Sequence, residues 1–143
     1  MMKGPLPKDE HLQHVKLNKT RRHLVVDDAE TNRRLIQLYL EAKKLTVDAV
    51  ASGAAALEKV EAAGVGAYDV VWTDLSMDGV GGVELTSRLR GLGFQGYVVV
   101  LTGNISDSVL HACHAAGADE VFLKPVRKKT ILDLPIMLLY DQE

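Results

Sequence analysis

The stretch His23-Leu24-Val25-Val26-Asp27-Asp28-Ala29-Glu30-Thr31-Asn32-Arg33-Arg34-Leu35-Ile36 changes character at its middle. It opens as a short apolar run stopped by two carboxylates, the pattern of a buried strand. Beyond Ala29 the apolar residues return at helical spacing, with Leu35, Ile36, Leu38 and Leu40 near one face. The same alternation then recurs to the end of the chain. Further strand-like runs stand at 46–51, 69–73, 97–101 and 120–123. Helical patterns carry Ala56, Leu57 and Val60 after Gly53, then Val83, Leu85 and Leu89, then Val109, Leu110 and Cys113. A last helical segment over 128–140 holds Ile131, Leu132, Leu134, Leu138 and Leu139, and Pro135 inside it should kink or shorten it. Five continuous apolar strands alternating with five helices predict an α/β fold, a doubly wound parallel sheet covered on both faces. Right-handed crossovers then bring every strand's carboxyl end to one edge, where open α/β sheets bind ligands.

The bulk properties narrow the field. A chain of 143 residues, 47% hydrophobic and 25% charged, suits one folded domain with its own core. A formal net charge of -2 offers no basic surface for nucleic acid or for a membrane. The single cysteine, Cys113, excludes an internal disulfide and a multi-cysteine metal site. No apolar run approaches the roughly 18 residues that span a bilayer, and the first residues lack the apolar core of a signal peptide. Cytoplasmic residence is the resulting expectation. Residues 1–20, with Pro5 and Pro7 and no sustained periodicity, read as a flexible tail or linker, with at most a short helical piece around residues 10–16. The folded domain is expected over 21–143. His11 and His14 have the spacing of a helical metal pair, but without a third ligand nearby they read as solvated tail histidines.

The predicted edge gathers Asp27-Asp28 after the first strand, Asp74 after the third, Thr102-Gly103 after the fourth and Lys124-Pro125 after the fifth. Singly these residues say little, and an Asp pair could simply cap the next helix. Together they have a chemical logic. Crowded carboxylates repel and call for a cation, and an oxygen-only donor set suits Mg2+. A phosphoryl group arriving there needs a nucleophile, charge neutralisation and oriented donors. A carboxylate can be the nucleophile, Lys124 can pair with a phosphoryl oxygen, and the Thr102 hydroxyl can donate to another. Gly103 keeps the adjacent backbone accessible.

The blocks His-Leu-Val-Val-Asp27-Asp28, Asp-Val-Val-Trp-Thr-Asp74-Leu-Ser-Met77, Val-Leu-Thr102-Gly-Asn and Phe-Leu-Lys124-Pro125-Val occur in order over roughly 22–140. In this the chain resembles the response-regulator receiver domain, and most the receivers of hybrid histidine kinases. The resemblance implies a flavodoxin-like (βα)5 fold with strand order 2-1-3-4-5. It implies that Asp74 is the phosphoacceptor, and that Mg2+ is held by Asp28, Asp74 and the carbonyl of Ser76, with Asp27 acting through water. Thr102 and Lys124 match the switch hydroxyl and the phosphate-pairing lysine, and the Lys124–Pro125 bond matches one that is cis in the family. The implied function is that of a phosphorelay phosphoacceptor. It would take the group from a phosphohistidine on a histidine kinase or histidine-phosphotransfer protein, and would catalyse only its own phosphorylation and dephosphorylation. Such a partner would dock near the start of the first helix, on Thr31, Asn32, Leu35 and Ile36.

There are departures from the family pattern. Asp78 stands where proline is usual, and the Gly79-Val80-Gly81-Gly82 run suggests a looser loop beside Asp74, with the Asp78 side chain turned to solvent. Gly82 matches the family's glycine before the third helix. The family's switch aromatic, three places before the lysine, is replaced by Val121, with Phe122 beside it. Adjacent strand residues face opposite ways, so Phe122 cannot take over by a small adjustment. Two other functions fit parts of the pattern. An aspartate-nucleophile phosphohydrolase would need an acid/base aspartate two residues after the nucleophile, where Ser76 stands. A pseudo-receiver that only binds partners would not need all five active-site side chains. The chain reads as a stand-alone receiver or as part of a larger protein.

Overall fold

A computed structural model of the chain describes residues 21–139. The tail reading of residues 1–20, including His11 and His14, lies outside the described residues, as does Tyr140. The elements are β1 (Arg22–Val26), α1 (Glu30–Glu41), β2 (Thr46–Val50), α2 (Gly53–Ala63), β3 (Val70–Asp74), α3 (Gly82–Gly91), β4 (Tyr97–Thr102), α4 (Asp107–Ala116), β5 (Glu120–Leu123) and α5 (Lys128–Leu132). A 3-10 turn, Ile136–Leu138, follows. The strands form one parallel sheet in the order β2-β1-β3-β4-β5. This is the expected doubly wound α/β architecture, and the strand limits fall within one residue of those read from the sequence.

Successive residues of each central strand feed different cores. Val25, Trp72, Val99 and Leu101 pack with Ile36 and Leu40 of α1 and Ile131 of α5. Leu24, Val26, Val71, Val98 and Val100 pack with Ala56 and Val60 of α2, Leu85 and Leu89 of α3, and Cys113 of α4. Because both faces are covered, both alternating sets are apolar, which is why these strands read as unbroken runs. Serines start two of the helices: Ser52 accepts the N–H of Ala55, and Ser106 that of Val109. Gly117 ends α4 in the left-handed region at φ 108°.

Three helical expectations change. Leu38 is 59% exposed, because it lies about 200° around α1 from the buried Ile36 at 3.6 residues per turn. Leu132 is exposed as well. The last segment is a helix of only five residues, and the chain beyond Pro135 winds as a 3-10 turn. Pro135 thus shortens the helix, while Leu134, Leu138 and Leu139 still reach the core. That closing turn is tied to the start of β1. Arg21 Nε donates to the Met137 carbonyl at 2.7 Å, and the His23 ring bonds the Leu138 carbonyl at 3.0 Å.

Candidate functional site

The strand register assembles the site. Asp27 follows β1, Asp74 closes β3, Thr102 closes β4 and Lys124 follows β5. Asp74 pairs with Leu101 and Thr102 with Leu123, so these residues share one edge. Backbone bonds carry the order just past the strands: Leu75 donates to the Leu101 carbonyl at 2.7 Å, and Lys124 to that of Thr102 at 2.7 Å. The Lys124–Pro125 bond is cis, as the family resemblance implies.

Asp27, Asp28 and Asp74 each offer a carboxylate oxygen within 4.8 Å of the others. Asp28 is exposed, whereas Asp27 and Asp74 are buried. Asp27 Oδ1 accepts the Ala29 N–H at 2.9 Å, while its buried Oδ2 has no hydrogen-bond partner. This bond replaces the helix-capping alternative, since Ala29 is the α1 N-cap and no side chain caps it. Burial raises the Asp27 pKa above the ordinary carboxylate range. Its own Ala29 hydrogen bond opposes this, the charges of Asp74 and Asp28 add to it, and Lys124 works against it. A buried acceptor left unpaired costs about 1–3 kcal/mol. An oxygen-only cluster with one such orphan fits a hard divalent cation such as Mg2+.

Lys124 Nζ lies 3.2 Å from Asp74 Oδ1. The Thr102 hydroxyl turns to its own loop, donating to the Asn104 carbonyl at 3.0 Å and accepting the Asn104 N–H at 3.2 Å. Ser76 is exposed two residues beyond Asp74, on the loop leaving the same strand. Gly82 fits directly against β3: a Cβ there would lie 2.5 Å from the Asp74 carbonyl oxygen. The glycine-rich loop is less loose than its composition suggests. Val80 packs on the second core and sits so close over Gly53 that a Cβ on Gly53 would meet the Val80 carbonyl oxygen at 2.5 Å. Asp78 is exposed, as expected.

Of the expected docking residues, Thr31 is exposed and Asn32 and Leu35 are half-buried. The latter two line a small pocket of about 20 Å³ with Asp27, Lys124 and Pro125. Ile36 is a correction: at 2% exposure it belongs to the core face of α1. Val121 and Phe122 do face opposite ways. Val121 packs against the core that contains Cys113, and the Phe122 ring lies 6.4 Å from that of Trp72 on the other face. Sequence reasoning missed Arg33, whose Nη1 donates to the Asp27 carbonyl at 2.9 Å. Its position on the first turns of α1 gave a faint signal, but a surface arginine has too many possible partners for spacing to choose one.

The profile of the family described as "Response regulator receiver domain" matches residues 24–134. The sensory/regulatory protein RpfC of Xanthomonas campestris pv. campestris is 33% identical over 129 residues, which cover 85% of this chain and 17% of RpfC. Hybrid signal transduction histidine kinase L of Dictyostelium discoideum is 27% identical over 116 residues, 78% of this chain and 7% of that protein. The chain therefore spans a small part of these relatives. Among solved structures, the chemotaxis protein CheY4 of Vibrio cholerae superposes with a TM-score of 0.72 at 26% identity, covering 79% of this chain and 93% of that one. No helix among the described residues is long and apolar enough to cross a membrane.

Proposed function

Because the chain belongs to the response regulator receiver domain family, we propose that Asp74 accepts a phosphoryl group from a phosphohistidine in a Mg2+-dependent reaction. The donor would be a histidine kinase or a histidine-phosphotransfer protein, met in the cytoplasm. The observation that carries this reading is the juxtaposition of three carboxylates within 4.8 Å with Lys124 Nζ at 3.2 Å from Asp74. Asp28 and Asp74, with the Ser76 carbonyl, would hold Mg2+, and Asp27 would act at one remove through water. When bound, the ion supplies positive charge that offsets the crowded carboxylates and the phosphoryl oxygens.

The chain's own groups do the rest. A carboxylate oxygen of Asp74 attacks phosphorus as the P–N bond breaks and its electron pair returns to the donor's imidazole. Lys124, already beside Asp74, pairs with a phosphoryl oxygen as a point charge. Thr102 exchanges its bond to the Asn104 carbonyl for one to another phosphoryl oxygen. Thr31, Asn32 and Leu35 flank the route by which a donor histidine would approach, and Ile36 supports them from within. The chain acts on no separate substrate in this scheme. A phosphohydrolase would place an acid/base carboxylate where Ser76 stands.

Intact-mass measurement after mixing with a small acyl phosphate, with and without Mg2+, tests the proposal. One phosphoryl adduct that needs the metal and disappears in Asp74→Asn is expected. Sustained phosphate release without an adduct would favour a hydrolase, and no reaction at all a module that only binds partners.

A further inference from the structure

The chain leaves the sheet at Asp27 and enters α1 at Glu30, and the backbone between carries the acid pair. The Asp27 N–H still reaches back to the Val50 carbonyl at 3.3 Å. Its carbonyl lies past the last paired residue of β1 and before the first helical turn, so neither ladder nor helix supplies it a donor. Arg33, one turn into α1, fills that need through Nη1 at 2.9 Å. Arg33 is half-buried, and its neighbour Arg34 is exposed.

From this we infer that Arg33 is a positioning residue: it fixes the Asp27-Asp28 backbone so that both carboxylates stand ready for the divalent cation. The inference rests on the proposed metal-binding role of the acid pair. It acts through a main-chain acceptor, as outer partners orient the groups that bind metals directly. Electrostatics alone points the other way. A guanidinium this close to the cluster repels a cation, so removing its charge should tighten metal binding. The sign of the change therefore separates positioning from charge.

Titration of the purified chain with Mg2+ alone, followed by calorimetry and by the amide resonances of residues 27–29, provides the test. Arg33→Ala should bind Mg2+ about tenfold more weakly, the lower end for loss of an outer partner. Arg34→Ala, which removes the same charge one position along, should bind as well as the parent or slightly better. Arg33→Lys, keeping the charge and a donor, should recover part of the loss. If Arg33→Ala does not fold, Arg33→Met, which keeps an aliphatic stem but has no donor and no charge, carries the same comparison. Unchanged or tighter binding in the Arg33 variants, or equal weakening in Arg34→Ala, overturns the inference. Asp28→Asn in the same titration tests the underlying reading separately: if it binds Mg2+ normally, the metal site itself is wrongly assigned.

Discussion

Asp27 and Asp28 are neighbours in sequence with different surroundings. Asp27 is buried and has one oxygen committed to Ala29 and one without a partner, whereas Asp28 is exposed. Two opposite effects follow for Asp27→Asn. Without metal, removing a buried charge that repels Asp74 and Asp28 should stabilise the fold at neutral pH. With metal, the same change should weaken Mg2+ binding. A direct ligand counts for more than one acting through water, so Asp28→Ala should lose more affinity than Asp27→Ala. Thermal melting without Mg2+ and calorimetric titration with it would check both. Equal affinities in the two alanine variants would contradict the division of roles. The sequence placed Asp27, Asp28 and Asp74 on one edge, since parallel strands must end together. It could not tell which oxygen would be left unpaired, nor that Thr102 would rest against Asn104, because those depend on loop geometry that periodicity does not encode.

At the scale of elements, the strands were legible because burial on both faces leaves long apolar runs with polar stops. The phase of α1 was not. Five of its residues between 35 and 40 are apolar, so pattern alone cannot decide that Ile36 points inward and Leu38 outward; packing against Val25 and Trp72 decides it. Equally hidden was the clamp made by Arg90 at the end of α3. Its guanidinium donates to the carbonyls of Phe94 (3.0 Å), Gly96 (2.8 Å) and Gly117 (2.8 Å) and to Asp119 Oδ2 (2.8 Å), joining α3 to β4 and to the α4–β5 turn. The Asp119 carboxylate is 2% exposed and also accepts the Val98 N–H. Arg90→Ala would withdraw a cation from a buried carboxylate, a loss of roughly 3 kcal/mol or more. Arg90→Lys should rescue little, because one ammonium cannot reproduce a planar fork of donors. Urea unfolding of the two variants checks this, and adding Asp119→Asn to Arg90→Ala should recover part of the loss.

The whole molecule is closed by a buried polar chain. Trp72 Nε1 donates to His23 Nδ1 at 3.0 Å, and the other ring nitrogen of His23 bonds the Leu138 carbonyl, linking β3, β1 and the final turn. Burial holds the His23 pKa down at about 4, against an ordinary 6.5. The unfolded chain takes up this proton as pH falls through the ordinary value, while the folded chain resists until about 4. Stability from this group is therefore full above the ordinary pKa and declines with acidification, by roughly 3 kcal/mol at 1.36 kcal/mol per unit. His23→Asn, which can still accept from Trp72, should show a flatter fall of unfolding free energy between neutral and mildly acidic pH. An unchanged slope would assign the acid sensitivity to the carboxylates instead.

Signal output also belongs to the whole molecule. A phosphoryl group on Asp74 shifts an equilibrium only through contacts that differ between two states. In the proposed scheme the Thr102 hydroxyl would offer one such contact, since it would leave Asn104 to reach the phosphate. The next step is weak here. Val121 is β-branched and stiff about its first side-chain bond, and, half-buried against the second core, it has too little reach to report a large rotation. Phe122 is held on the opposite face against Trp72. Phosphorylation should therefore reorganise the loops over residues 78–82 and 103–106 and leave the face formed by α4 and β5 nearly unchanged. Val80, seated over Gly53, should limit even the first loop to adjustments at its two ends. Backbone amide shifts recorded with Mg2+, with and without beryllofluoride as a phosphate mimic, would map the response. Large changes spread along α4 and β5 would show that the signal crosses this face without an aromatic switch, with Val121 or the α4 backbone itself as the moving part.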